Sequence, residues 1–265
     1  LGQLDEAVAS YDKTIQLNPD YAEAHFNRGS TLQELGRFQL AMTSCQKAVS
    51  INPHNGLFWA GYASYLQRVK FESYNDELGH YLLQVLEQPT VRPNQVSRAV
   101  ISALHHHPAI SRTLALSKSD HFNEDIDHLT EQLSTVPLLL RVMELSAVAD
   151  LEVEKMLTKM RKAMLHKAAR GGGEALGLPF SAALAMHCFT NEYIFFESEE
   201  EKEEIELLQE NVKVILENEG TVSPAWIAVL GAYRPLYCFS WAHALLKTEW
   251  SDEIKKVIVR QVDNV

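Results

Sequence analysis

The first 55 residues repeat themselves with a period of 34 residues. Shifting the sequence by 34 positions superposes identical residues at seven places: Leu1 on Leu35, Gly2 on Gly36, Ala7 on Ala41, Ser10 on Ser44, Lys13 on Lys47, Asn18 on Asn52 and Pro19 on Pro53. A period of this length is typical of a helix-turn-helix unit, which buries its apolar face only against neighbouring units. The pattern therefore predicts a helical solenoid, and the proline that closes each period predicts a helix end.

This repeat resembles the tetratricopeptide repeat, which has small residues such as Gly29 and Ala41 where the two helices of a unit approach closely. Residues 1–19 correspond to half a repeat and residues 22–55 to a complete one. A divergent third unit begins at Trp59, where the family places an aromatic residue. Because the array starts partway through a repeat, we expect the chain to be a piece of a longer protein.

The rest of the chain consists of apolar residues at helical spacing, interrupted by prolines and by the glycine run 171–173. The spacing predicts helices near residues 76–87, 94–105, 123–133, 137–147, 151–169, 179–195, 199–218, 223–231, 234–246 and 251–263. The expected fold class is all-α. We predict a short tetratricopeptide-type solenoid in residues 1–70 and an α-helical domain in residues 71–265, with a sub-boundary near residues 171–178.

Polar residues on one face of the complete repeat are the candidates for binding. The resemblance implies a peptide-binding groove around Asn27, because many arrays of this family carry an asparagine there that hydrogen-bonds an extended peptide. Helical spacing places five further candidates on the same face: Glu23, Phe26, Ser30, Gln33 and Glu34. A solvated helix surface is the alternative. The single cation Arg28 argues against the basic clamp that some relatives use for acidic C-termini.

A second resemblance involves the later helices. The stretches FWAGYASYLQRVKF with RAVISALHHHP, LLLRVMELSAVADLEVEKMLTKMRKAML, LAMHCFTNEYIF, and AWIAVLGAYRPLY to VIVRQVDNV are similar to the helical region of bacterial tetratricopeptide-repeat class I methyltransferases. The resemblance implies a substrate-presenting or regulatory head whose catalytic domain, with its S-adenosylmethionine, is absent from this chain. The alternatives are the head of a protein glycosyltransferase and a stand-alone adaptor.

Catalytic and cofactor motifs are not recognisable in the sequence, so whether the chain is an enzyme stays open. A methyltransferase domain needs a Gly-rich turn after a strand. The glycine run 171–173 follows a predicted helix instead and indicates a helix end. We therefore expect no cofactor in this chain.

Histidines are frequent, but their spacing does not predict a metal site. The run His105–His107 lies before Pro108 and is expected at a helix C-terminus. Neither HExxH nor paired CxxC spacing connects it to the other histidines of the region, which are His80, His121 and His128.

A polar trio, Asn191, Glu192 and Tyr193, interrupts the most apolar predicted helix. Buried polar groups need hydrogen-bond partners. We expect the trio to form a structural network with the backbone or a neighbouring helix. The alternative is a functional site, in which Glu192, Tyr193 and a histidine would act as an enzyme centre.

Charge and cysteine content limit the partners. A net charge of -11 argues against nucleic acid, which requires clustered Lys and Arg. No apolar run approaches the roughly 20 residues that cross a bilayer, so no membrane partner is expected. The isolated cysteines Cys45, Cys188 and Cys238 predict buried thiols in a cytoplasmic setting. The expected partner is a protein or peptide, and exposed solenoid ends predict homo-oligomers.

Overall fold

The computed structural model describes residues 2–119 and 122–263, with the backbone alone at residues 123, 124 and 263. Every regular element in these ranges is helical, with fifteen α-helices and no strand. The predicted all-α fold class is therefore confirmed. None of the helices in these ranges is long and apolar enough to cross a lipid bilayer.

The chain divides into two compact units, Leu1–Ala103 and Leu104–Val265. The first unit contains the helices α1 (Gly2–Leu17), α2 (Ala22–Glu34), α3 (Phe38–Ile51), α4 (Gly56–Leu66), α5 (Asp76–Leu86) and α6 (Pro93–Leu104), the last of which ends at the junction. Along the chain, α1 packs on α2, α2 on α3 and α3 on α4. These two units are defined by contacts within the chain, whereas the predicted boundary near residue 70 concerns where the repeats end. That boundary stays a prediction.

The close approach of α2 and α3 depends on small residues. A Cβ atom on Gly29 would lie 2.8 Å from Cys45 Sγ and 3.1 Å from the carbonyl oxygen of Ala41. Ala41 and Cys45 are themselves fully buried. The turn between the helices is made by Gly36 at a φ of 74°, a conformation that favours glycine. The predicted role of Gly29 and Ala41 is confirmed.

The divergent third unit begins with α4, whose aromatic residues fill the adjacent core. Phe58, Trp59 and Tyr62 are each at most 2% exposed. The Trp59 indole Nε1 donates a hydrogen bond of 2.8 Å to the carbonyl oxygen of Pro53, in the turn that closes the preceding repeat. Trp59 thus anchors α4 to the repeat before it.

The second unit is built around one central helix. Its elements are α7 (Pro108–Leu116), α8 (Ile126–Ser134), α9 (Pro137–Leu145), α10 (Leu151–Ala169), α11 (Leu178–Thr190), α12 (Glu199–Glu217), α13 (Pro224–Gly231), α14 (Ala242–Leu245) and α15 (Asp252–Ile258). Helix α11 packs against α8, α9, α13 and α15. Its residues 180–185 are all buried, because it is apolar on most faces.

The run His105–His107 directly follows the end of α6 at Leu104, as predicted, but the helix α7 after it was not predicted. His107 begins α7: its Nδ1 accepts a hydrogen bond from the amide of Ala109, and Pro108 occupies the first helical turn, where its missing N–H is not needed. Two predictions about helix bounds were wrong. The helix predicted to reach residue 195 ends at Thr190. The helix predicted over 234–246 is broken into a 3-10 turn at Leu236–Cys238 and the short α14.

Candidate functional site

The predicted groove residues lie on α2 and differ in exposure. Glu23, Asn27 and Glu34 are exposed, whereas Phe26, Ser30 and Gln33 are partly buried. The exposed residues recur at spacings of four and seven, which places them along one side of the helix. The predicted face therefore has a polar outer edge and a part that packs against protein.

Phe26 packs between α2 and α4. Its ring centroid lies 5.0 Å from that of Phe58. Its Cε2 atom would be 2.5 Å from a Cβ atom on Gly61, so the position tolerates no side chain. Gly61 lies one 34-residue period after Asn27, so the asparagine does not recur in the next unit. The aromatic ring of Phe26 lies against Gly61 instead.

Ser30 lies one turn further along α2. Its hydroxyl donates to the carbonyl oxygen of Phe26 at 3.2 Å and also meets the hydroxyl of Tyr65. Burial raises the pKa of Tyr65, so its hydroxyl stays neutral. Ser30 thus contributes to the contact between α2 and α4.

The Asn27 side chain keeps its hydrogen-bonding capacity. Its backbone carbonyl accepts the Thr31 hydroxyl at 2.9 Å, as an ordinary bond within the helix. Among the described residues, no group hydrogen-bonds the Asn27 side-chain amide, and no cation pairs with Glu23 or Glu34. An amide carries two donor hydrogens and an acceptor oxygen, the set needed to bond both sides of a peptide unit.

Arg28 has a structural role on the other side of α2. Its Nε atom donates to Asp12 Oδ1 at 2.7 Å, and its Nη1 atom donates to Ser44 Oγ at 2.5 Å. The side chain thereby joins α1, α2 and α3. Its guanidinium is already engaged by these partners, so it does not supply a clamp for acidic peptide ends.

The trio at residues 191–193 does not form one connected network. Asn191 lies with its Nδ2 atom 3.0 Å from His187 Nε2, within the same helical end. Tyr193 donates its hydroxyl hydrogen to the carbonyl oxygen of Gly231 at 3.0 Å. Glu192 is exposed, and it turns the chain together with Tyr193, with φ values of 54° and 55°. The structure gives the three residues separate environments.

A buried polar cluster surrounds Arg161, and it was not predicted from the sequence. The Arg161 guanidinium lies 4.1 Å from the centroid of the Tyr233 ring and 5.2 Å from that of Phe195. Its Nη2 atom donates to the carbonyl oxygen of Phe196 at 2.9 Å and lies 3.9 Å from Glu201 Oε1. Tyr233 donates to the same Glu201 oxygen at 2.7 Å. Arg161 is 2% exposed, so the charge is enclosed.

The electrostatics of this cluster keep Glu201 ionised. Burial opposes the charge, but hydrogen bonds from Ser198 and Tyr233 and the positive charge of Arg161 outweigh it and lower the pKa of Glu201. Burial raises the pKa of Tyr233, which remains a neutral donor. The side chains of Arg161, Glu201 and Tyr233 are buried, so we assign the cluster a role in packing α10, α12 and α13.

Some histidines of the chain lie next to carboxylates, whereas others are exposed. His105 Nε2 lies 3.1 Å from Asp150. His80 and His128 are exposed, and His121 lies outside the described residues. The ligand-type atoms of His166, Glu200 and Glu204 lie within 4.8 Å of one another.

These last three residues already have protein partners. His166 Nδ1 is 2.6 Å from Glu204 Oε1, and Lys162 Nζ is 2.9 Å from Glu200 Oε2. The group is accounted for by the Lys162–Glu200 ion pair and the His166–Glu204 hydrogen bond between α10 and α12.

The three cysteines are free thiols with different exposure. Cys45 and Cys188 are fully buried, and burial raises their pKa values to about 11 and about 12. Cys238 is exposed, so the prediction that it would be buried was wrong. The reason is the break between Gly231 and Ala242, which leaves Cys238 in a short 3-10 turn and not in a helix core.

Comparison with known families identifies the repeats. Residues 1–36 match a TPR repeat model, and residues 22–55 match the tetratricopeptide repeat itself. The first unit therefore contains tetratricopeptide repeats, as α1 to α3 and the turns between them indicate. Repeats of this type mediate protein–protein interaction.

One relative is an uncharacterized protein of Methanocaldococcus jannaschii. It is 32% identical over 53 residues, which are 20% of this chain and 62% of that protein. The chain thus spans less than two thirds of the length of this relative. No solved structure matches the chain with significance.

Proposed function

We propose that this chain is a protein-interaction module whose tetratricopeptide repeats bind an extended peptide along α2, with Asn27 hydrogen-bonding the peptide backbone. The observation that carries the proposal is the exposed Asn27 amide, which has no hydrogen-bond partner among the described residues and is adjacent in sequence to the partly exposed Phe26, whose ring packs on Phe58. A peptide bound there can satisfy the amide while an apolar side chain covers the exposed part of the Phe26 ring. Glu23 and Glu34 at the edge favour basic side chains in the peptide.

The test is selection of a random peptide library on the protein, followed by fluorescence anisotropy with the selected peptides. We expect Asn27→Ala to weaken binding by about fivefold to twentyfold, the value of one or two hydrogen bonds. The matched control is Thr43→Ala on α3, which also removes an exposed polar side chain. Equal losses in the two variants, or no loss in Asn27→Ala, would contradict the groove.

The wider context is a further proposal and rests on the resemblance of the later helices alone. We propose that the chain is the head of a bacterial, cytoplasmic tetratricopeptide-repeat methyltransferase. Such a head would present or regulate the substrate of a catalytic domain that lies outside this chain. Sequencing the gene beyond Val265 tests this. A strand followed by a Gly-rich turn would support it, while glycosyltransferase sequence or an immediate stop codon would favour the other two contexts.

A further inference from the structure

A cleft of about 800 Å³ lies in the second unit, lined by residues of α9, α11, α15 and the turn that follows α15. This volume falls within the range of binding clefts, roughly 300 to 1,000 Å³. Part of its lining is apolar and comes from Leu145, Met186 and Val259. The surface is thus suited to a ligand with an apolar side group.

The charged part of the lining has the opposite sign to the protein. Four cations, Arg141, Lys255, Lys256 and Arg260, face two carboxylates, those of Glu144 and Asp252. The cleft therefore has an excess of positive charge in a chain whose net charge is -11. Such a local reversal attracts acidic groups that the rest of the surface repels.

The cations of α15 are available for a ligand. Arg141 Nη1 is paired with Glu144 at 3.0 Å. Among the described residues, no carboxylate lies within ion-pair distance of Lys255 or Lys256, and the nearby charge of Glu253 acts on Lys256 only through space. The Arg260 guanidinium lies over the ring of Phe189 at 5.9 Å, which holds it in place without neutralising it.

Several other lysines of the second unit do pair with carboxylates. Lys162 pairs with Glu200 at 2.9 Å, and Lys213 pairs with Glu210 at 3.1 Å. Lys155 and Lys247 also have no ion pair among the described residues, so Lys255 and Lys256 are distinguished by their position in the lining of the cleft. Helical spacing places both on the same side of the chain as Val259 and Arg260.

We propose that this cleft binds an acidic segment of a partner protein. Carboxylates of the segment meet Lys255, Lys256 and Arg260, and an apolar side chain of the segment covers Met186 and Val259. Charge complementarity selects the occupant, and the apolar lining distinguishes it from a simple inorganic anion. The proposal concerns the second unit and does not depend on the groove at Asn27.

The test uses the full chain and a fluorescein-labelled peptide of glutamate residues around a central leucine. We expect saturable binding by fluorescence anisotropy that weakens with added salt. The double variant Lys255→Glu/Lys256→Glu should weaken it by at least about tenfold, since two attractions become repulsions. Both side chains are exposed, so the thermal unfolding temperature should hardly change.

The matched control is Lys155→Glu/Lys247→Glu, which makes the same charge change at two other exposed lysines. Equal weakening in the two double variants would overturn the proposal, because the peptide would then be responding only to overall charge. Equal binding of a peptide with serine in place of leucine, or full displacement by millimolar inorganic phosphate, would also overturn it. Asn27→Ala should leave this binding unchanged, which separates the outcome from that of the groove.

Discussion

The two units bring helices together by different physical means. In the first unit, α2 and α3 approach closely because Gly29 and Ala41 have almost no side chain, and small residues recur one period away, as Ala63 and Ala7 respectively. In the second unit, α10 and α12 meet around the buried charges of Arg161 and Glu201. Repeated steric contacts are visible in a sequence, whereas a unique polar contact between distant residues is not. Stability should therefore respond to different substitutions in the two units.

The largest effect is expected for Arg161→Ala. The substitution leaves Glu201 enclosed without its positive neighbour, and breaking such a buried pair costs about 3–5 kcal/mol. Urea denaturation should show this loss in the transition of the second unit, followed by a probe attached at Cys238. If the loss is below about 1 kcal/mol, the buried charge is not a main contribution to the packing of this unit.

The double variant Arg161→Met/Glu201→Gln is the control for that prediction. It removes both charges while keeping similar volumes, so it should recover a large part of the stability. A double variant as unstable as Arg161→Ala would mean that the loss comes from packing of the arginine side chain and not from the uncompensated carboxylate.

A pH effect on the second unit is expected from His187. Burial lowers the pKa of His187 from 6.5 to about 4, so the folded protein holds it neutral. The unfolded chain takes up a proton as the pH falls below about 6.5, which stabilises the unfolded state. The stability that His187 contributes is complete above that pH and is lost as the pH falls towards 4, by up to about 3 kcal/mol.

The measurement is urea denaturation of the natural protein and of His187→Gln between pH 7.5 and 4.5. Glutamine does not titrate, so the natural protein should lose stability more steeply on acidification. Parallel pH profiles for the two proteins would show that His187 is not the group responsible.

In the first unit, Gly29→Ala should cost about 1–3 kcal/mol. The added Cβ would lie 2.8 Å from Cys45 Sγ, so α2 and α3 must move apart, and overpacking of a core has a cost of this size. Gly2→Ala is the matched control, because a Cβ there has no neighbour within 4 Å. Thermal unfolding of both variants checks the prediction, and equal midpoints would remove the steric explanation.

The smallest stability effect is expected for Asn27→Ala, which should stay within about 0.5 kcal/mol because its side chain is exposed and forms no hydrogen bond among the described residues. Denaturation of Asn27→Ala alongside Gly29→Ala separates binding from packing within one turn of α2. A stability loss as large as that of Gly29→Ala would assign Asn27 to the fold and remove it from the groove.

The helices were predictable wherever one local signal dominated. Asp150 begins α10 by accepting the amide hydrogens of Glu152 and Val153, as an N-terminal aspartate commonly does. Helix α7 was missed because the same proline that can end one helix can begin the next, and only the His107 side chain decides between them. The chain turns after α11 at Glu192 and Tyr193, which have positive φ values. Because neither residue is glycine, the sequence does not indicate this turn.

The candidate residues were predictable to a different degree. The exposure of Asn27 and Glu23 follows from the register of the repeat, while the burial of Phe26 depends on Gly61, one period away from Asn27. Arg161 did leave a signal, since it lies at helical spacing between Leu157 and Met164 on the apolar face of α10. Its partner Glu201 lies within an acidic run, where its position three residues after Ser198 indicates a capping box but does not indicate a buried arginine partner.

Each unit has one buried thiol that can report how fast its core opens. Cys45 lies in the core of the first unit and Cys188 in the core of the second, and both are protonated and shielded from reagents. A thiol-reactive dye therefore labels Cys238 at once, and it reaches the other two only when the surrounding helices open. After labelling for different times, the protein would be digested and the mass of each cysteine-containing peptide measured. The mass increase of the Cys45 and Cys188 peptides with time would report the opening rates of the two cores separately, in one sample and without any substitution.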